Sequence, residues 1–115
     1  MPHPDRAGPA TLVRVNGQDY LFDCGRGVLM RAAAVSASAV TLQGLFLTHM
    51  HSDHTTDYND IITTRWIMSP QENPLSVFGP VGVEELTVKT CAALEQDIGC
   101  LLYTSDAADE RSSVD

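Results

Sequence analysis

The sequence predicts a single-domain α/β layered fold, and three observations lead there. Short apolar runs rich in β-branched and aromatic residues alternate with segments of helical period. Gly and Pro clusters punctuate the boundaries between them. The chain has 115 residues and is 43% hydrophobic, enough for one core and too short for two.

Residues 1–10 (MPHPDRAGPA) are rich in Pro and Gly and read as an irregular lead-in. Thr11 to Val15 alternates as a strand, Asn16-Gly17 is a two-residue hairpin signal, and Tyr20-Leu21-Phe22 returns as its partner. That partner ends at Asp23-Cys24-Gly25. Gly25 and Gly27 mark a sharp exit into a short helix from Val28 to Ala34. Ser36 to Gln43 carries no clear period. Leu45 to Thr48 is an apolar strand suited to burial on both faces. A polar cluster, His49-Met50-His51-Ser52-Asp53-His54, follows it directly.

Tyr58, Ile61, Ile62, Arg65 and Trp66 then recur at helical spacing, which predicts a helix over Thr56 to Met68. Trp66 is expected in the core and Arg65 in solvent. Ser69 to Pro74 is a loop, and Leu75 to Phe78 is a strand closed by Gly79-Pro80. A last helix runs from Val83 to about Gln96. Glu84 and Glu85 sit in its first turn, where they suit the positive end of the helix dipole. No internal repeat is evident.

Fifteen acidic side chains face seven basic ones, for a formal charge of −8. That balance argues against a nucleic-acid-coating role, which needs clustered Lys and Arg. No apolar run approaches the roughly 20 residues of a membrane helix, so no membrane partner is expected. No secretory signal opens the chain. Cys24, Cys91 and Cys100 fit no disulfide or zinc-ribbon spacing and read as free thiols in a reducing, cytoplasmic setting. Cys24 is expected to be a packed small residue, not a nucleophile.

From Cys100 the chain changes character. CLLYTSDAADERSSVD has no amphipathic period and a Ser, Ala and Asp bias. Cys100 to Glu110 can be written in codons that resemble the end of a transposon-based sequencing-library adapter. Residues 100–115 are therefore read as a non-native tail outside the fold.

The chemistry lies in the polar cluster. Three histidines and an aspartate fall within six residues, after a buried strand and before a helix. In an extended segment, residues two apart project to one side, so His49 and His51 can converge on one metal ion. Asp53 and His54, where the chain bends into the helix, are directed elsewhere and could hold a second ion. Imidazole with carboxylate suits zinc, and iron or manganese also fit by ligand type. Two ions about 3.5–4 Å apart polarise a phosphoryl or carbonyl oxygen and yield hydroxide near neutral pH. A lone histidine would be an ordinary surface residue; four potential ligands in HxHxDH order are not.

LTHMHSDH resembles the signature loop of the metallo-β-lactamase superfamily of metal-dependent hydrolases. TLVRVNGQDYLFDCGRG resembles the strands that precede that loop, and PLSVFGPVG the strand and loop that follow it. Together these cover most of residues 8–97, and they look most like the ribonuclease Z and arylsulfatase-like branch. The resemblance implies the N-terminal half of a four-layer αββα sandwich, with residues 1–99 an incomplete domain. It implies that His49 and His51 are ligands of one zinc, and that Asp53 and His54 are ligands of another. It further implies that Asp53 is the general base and that Asp23 supports the site from behind the ligands.

The family's remaining ligands come from its C-terminal half, and here no histidine follows His54. The family's first strand has no counterpart either. Half a sandwich would expose an apolar sheet face and would not fold stably alone. The expected function is a dinuclear zinc hydrolase cleaving a phosphodiester or other ester by metal-bound hydroxide. The acidic balance leans towards a small ester and away from tRNA. The alternative is a truncated, catalytically inactive metal-binding fragment.

Overall fold

The computed structural model describes residues 8–94 and the strand at 102–106. In chain order the elements are β1 (Thr11–Val15), β2 (Gln18–Phe22), α1 (Val28–Ala33), β3 (Leu42–Phe46), α2 (Ser52–Thr55), α3 (Tyr58–Met68), β4 (Leu75–Gly79), α4 (Val83–Ala93) and β5 (Leu102–Asp106). The β1–β2 turn needs positive φ at both central residues, and Asn16 (53°) and Gly17 (76°) supply it.

The five strands lie in sequence order, β1-β2-β3-β4-β5, with β1 antiparallel to β2 and every later pair parallel. In a parallel sheet laid down in sequence order, crossovers of one hand put every helix on the same face. The core agrees. Leu21, Leu45, Leu47, Leu75 and Val77 meet Val28 of α1, Tyr58, Ile61 and Ile62 of α3, and Val83 of α4 in one buried cluster. A buried hydroxyl pair joins α3 to α4: Tyr58 Oη lies 2.7 Å from Thr87 Oγ1, which donates to the Val83 carbonyl.

The opposite face of the sheet carries a ladder of phenylalanines. Phe22, Phe46 and Phe78 stand at matching positions of β2, β3 and β4, with ring centroids 4.8 and 4.9 Å apart. Phe78 is 37% exposed. This is the bare apolar sheet face expected of half a sandwich: helices cover one side and none covers the other among the described residues.

Several expectations are corrected. Trp66 is exposed and outside the core cluster. Tyr58, Ile61, Ile62 and Arg65 form the inward stripe of α3, and Trp66 falls roughly a quarter-turn off its middle. Arg65, expected in solvent, is buried. Its guanidinium donates to the carbonyls of Ala39 (2.7 Å), Leu42 (2.9 Å), Asn73 (2.7 Å) and Pro74 (3.2 Å), and to Asn73 Oδ1 (2.8 Å). It ties the loop before β4 to the start of β3. Cys91 is disulfide-bonded, so among the described residues the free thiol is Cys24.

β3 begins at Leu42, earlier than its apolar run suggests. The last helix ends at Ala93 with Leu94 as its C-cap, where the cap N–H turns back to the Cys91 and Ala92 carbonyls, short of the end expected near Gln96. Cys100 lies outside the described residues. Finally, Leu102–Asp106 pairs with Leu75–Gly79 along the far edge of the sheet, although this stretch was expected to lie outside the fold. β4 offers an open row of backbone groups there, which any extended segment of suitable residues can join.

Candidate metal centre

The four predicted ligands lie past the carboxyl end of β3, beside the end of β2, the edge where open parallel sheets bind ligands. Backbone hydrogen bonds stitch the two chain ends together. The Asp23 N–H donates to the Phe46 carbonyl (2.7 Å), and the Cys24 N–H to the His54 carbonyl (2.8 Å). The Asp57 N–H returns to the Cys24 carbonyl (3.0 Å), while Asp57 Oδ2 accepts from the Gly27 N–H at 2.6 Å. Gly27 takes a left-handed φ of 80°. A Cβ on Gly25 would lie 2.6 Å from the Gly8 carbonyl carbon, so only glycine fits there. The glycines of this turn shape the backbone, as their sequence suggests.

This lacing holds Asp23 beneath the histidines. Its backbone is left-handed at φ 69°, a region aspartate tolerates better than most residues. Its side chain is buried and fully engaged. Oδ1 accepts from the Thr48 backbone N–H at 2.8 Å, and Oδ2 accepts from the Thr48 hydroxyl at 2.7 Å. Burial alone would raise the pKa of this carboxyl. The two Thr48 bonds and the adjacent His54 outweigh that and hold it below the usual carboxylate range.

Three imidazoles gather above it. The His49 and His54 ring centroids lie 3.8 Å apart, and those of His49 and His51 lie 4.8 Å apart, edge to face. His54 was expected to point away from His49, yet it does not. Ser52–Thr55 forms one helical turn, which swings His54 back over His49. Asp53 is exposed: its side chain is 66% accessible, with Oδ1 3.8 Å from His54 Nε2. His51 precedes that turn in an extended conformation and is exposed.

His54 Nδ1 lies 2.9 Å from Asp23 Oδ2, close enough to pair with the carboxylate although off the line of a regular hydrogen bond. By chemistry the donor set of three imidazoles and a carboxylate fits a zinc-class ion. By geometry it is unfinished: among the described residues no three His, Cys, Asp or Glu side chains converge on one point.

Two residues of this centre escaped the sequence. Thr48 gave a weak signal, a polar residue ending an apolar strand, which must find a partner. Asp57 belongs to no sequence pattern; it precedes α3, yet its carboxylate reaches the start of α1. Cys24 is fully buried, and burial, then Asp23 and Asp57, pushes its thiol up to about 12. That disposes of a nucleophilic role and supports the packing role expected.

Residues 3–69 match the family model of the metallo-beta-lactamase superfamily. The chain is 54% identical over 101 residues to a ribonuclease Z of Mycobacterium avium strain 104, covering 86% of this chain and 36% of the relative. It is 48% identical over 101 residues to a ribonuclease Z of Mycobacterium marinum, with the same shares. The chain thus spans about a third of the length of these curated relatives. Among solved structures, human tRNase Z, short form, superposes with a TM-score of 0.78 at 26% identity, over 91% of this chain and 39% of that one. A metallo-beta-lactamase fold protein of Bacillus subtilis superposes at 0.70 and 21% identity, over 92% and 40%, a likeness of fold alone.

Proposed function

Because the chain belongs to the metallo-beta-lactamase superfamily and corresponds to the N-terminal part of its fold, we propose that the complete protein is a metal-dependent hydrolase of RNA phosphodiesters. The single observation that carries this reading is the gathering of three imidazoles over a buried, ionised Asp23 at the carboxyl ends of β2 and β3. The ribonuclease Z names of relatives about half identical in sequence support RNA as the substrate class. The charge-based expectation of a small ester is set aside. A net charge taken over a third of a protein does not describe the field over its substrate cleft.

His49 and His51 would hold one ion, and Asp53 and His54 a second, with zinc favoured by the donor types. Such ions supply Lewis acidity and an activated water when bound. Asp23 holds the loop in place through Thr48 and lends negative charge to His54. Asp53 presents an exposed carboxylate able to accept a proton from water, the role of general base. Within the chain, residues 1–99 are the superfamily part and residues 100–115 an extension of other origin.

The unfinished donor geometry favours a second statement: this chain alone is catalytically inactive and needs ligands from the rest of the domain. The test is cleavage of a tRNA precursor and of bis-(p-nitrophenyl) phosphate by the complete domain, with and without His54→Ala. Loss of both activities with the variant is expected. Full activity without His54, or with a chelator present throughout, would overturn the reading.

A further inference from the structure

We propose that Thr48 is a positioning residue that fixes His49 as the Nδ1–H tautomer and so leaves Nε2 as its lone-pair donor. The inference rests on the metal reading only for what Nε2 then binds. Thr48 Oγ1 stands between two partners, 2.7 Å from Asp23 Oδ2 and 2.9 Å from His49 Nδ1. A hydroxyl has one proton, and a carboxylate can only accept. The proton therefore goes to Asp23, and the hydroxyl oxygen turns a lone pair towards His49. A bare Nδ1 would set two lone pairs against each other at 2.9 Å; an Nδ1–H makes a hydrogen bond instead.

The hydroxyl cannot easily turn away. The Thr48 backbone N–H is bound to the other oxygen of the same carboxylate at 2.8 Å, so Asp23 grips the residue at two points. A β-branched side chain is stiff about χ1. The His54 ring, 3.8 Å from that of His49, limits how far the imidazole can swing. An unconstrained neutral imidazole samples both tautomers, and only one of them offers Nε2 to an ion. Thr48 makes that choice before any ion arrives.

The test uses the chain labelled with ¹⁵N-histidine, held with a chelator at about pH 8, where an ordinary imidazole is neutral. Long-range ¹H–¹⁵N correlations then report each ring's tautomer. His49 is expected as Nδ1–H in the wild type and in Thr48→Ser, and as a mixture in Thr48→Val. Zinc titration without chelator should show Thr48→Val about 10–100-fold weaker and Thr48→Ser close to wild type. An Nε2–H wild-type ring, or a Thr48→Val tautomer identical to wild type, overturns the proposal. If Thr48→Val does not fold, the wild-type and Thr48→Ser tautomers decide alone, and Nε2–H in either overturns it. Absence of zinc binding by the wild type would contradict the metal reading, while the tautomer result still decides the role of Thr48.

Discussion

Replacing Asp23 with Asn tests how much the buried carboxylate contributes to holding the histidine loop. The substitution isolates the charge, because asparagine also tolerates the left-handed φ of 69°, whereas alanine would add about 1–2 kcal/mol of backbone strain. The carboxylate accepts two hydrogen bonds from Thr48, at 2.8 and 2.7 Å, and lies 2.9 Å from His54 Nδ1. Hydrogen bonds to a charged group contribute about 1.5–3 kcal/mol each, against about 0.5–1.5 for neutral pairs.

An amide has one acceptor oxygen and an NH2 donor, so the Thr48 N–H bond becomes a weaker neutral one and the hydroxyl must turn to accept from the amide, where it had donated to a charge. The expected cost is about 2–4 kcal/mol, a large share of the 5–15 kcal/mol typical of a whole domain. Urea denaturation of the metal-free chain, with chelator present, measures it. The pH dependence carries a sign. Asp23 is held below its ordinary value of 3.8, so its contribution is complete above that value and disappears as pH falls through the folded value. The gap between wild type and Asp23→Asn should be constant from about pH 5 to 7 and close on further acidification. A gap below about 0.5 kcal/mol at neutral pH, or one unchanged in acid, would refute the reasoning.

Three further outcomes follow from the same structure. Arg65→Met keeps most of the stem's packing but strips hydrogen bonds from the carbonyls of Ala39, Leu42, Asn73 and Pro74, and should destabilise by at least about 3 kcal/mol in urea; a loss under about 1 would contradict the clamp. Cys24, buried and with its thiol pushed up to about 12, should resist iodoacetamide in the native chain at neutral pH and react after unfolding. Mass spectrometry of the alkylated chain reads this, and rapid native labelling would place the thiol elsewhere. Resequencing the source DNA across Gly99–Cys100, from a library made without transposon adapters, should show a different continuation after Gly99; recovery of the same codons would establish residues 100–115 as native.

What the sequence made legible, and what it did not, has physical reasons. The hairpin was readable because Asn16-Gly17 can take the positive φ that its turn requires. β4 and the inward face of α3 were readable because burial imposes a period on residue types. Arg65 was misjudged because its partners are backbone carbonyls of distant loops, which leave no trace in side-chain identity. Trp66 was misjudged by extending an apolar stripe one residue past its edge.

At the site, the HxHxDH spacing already brought His49 and His51 to one side. The swing of His54 onto His49 depends on a four-residue helical turn too short to carry a period. Thr48 and Asp57 act across 25 and 30 residues of chain, on Asp23 and Gly27, so only the folded backbone brings each to its partner.

The central claim is that the loop from His49 to His54 is the metal centre. Calorimetric titration of Zn²⁺ into the chelator-treated, dialysed chain tests it most directly, repeated with His49→Ala and with His51→Ala. Saturable binding that either substitution abolishes is the predicted result. No binding by the wild type, or binding that survives both substitutions, would contradict the account.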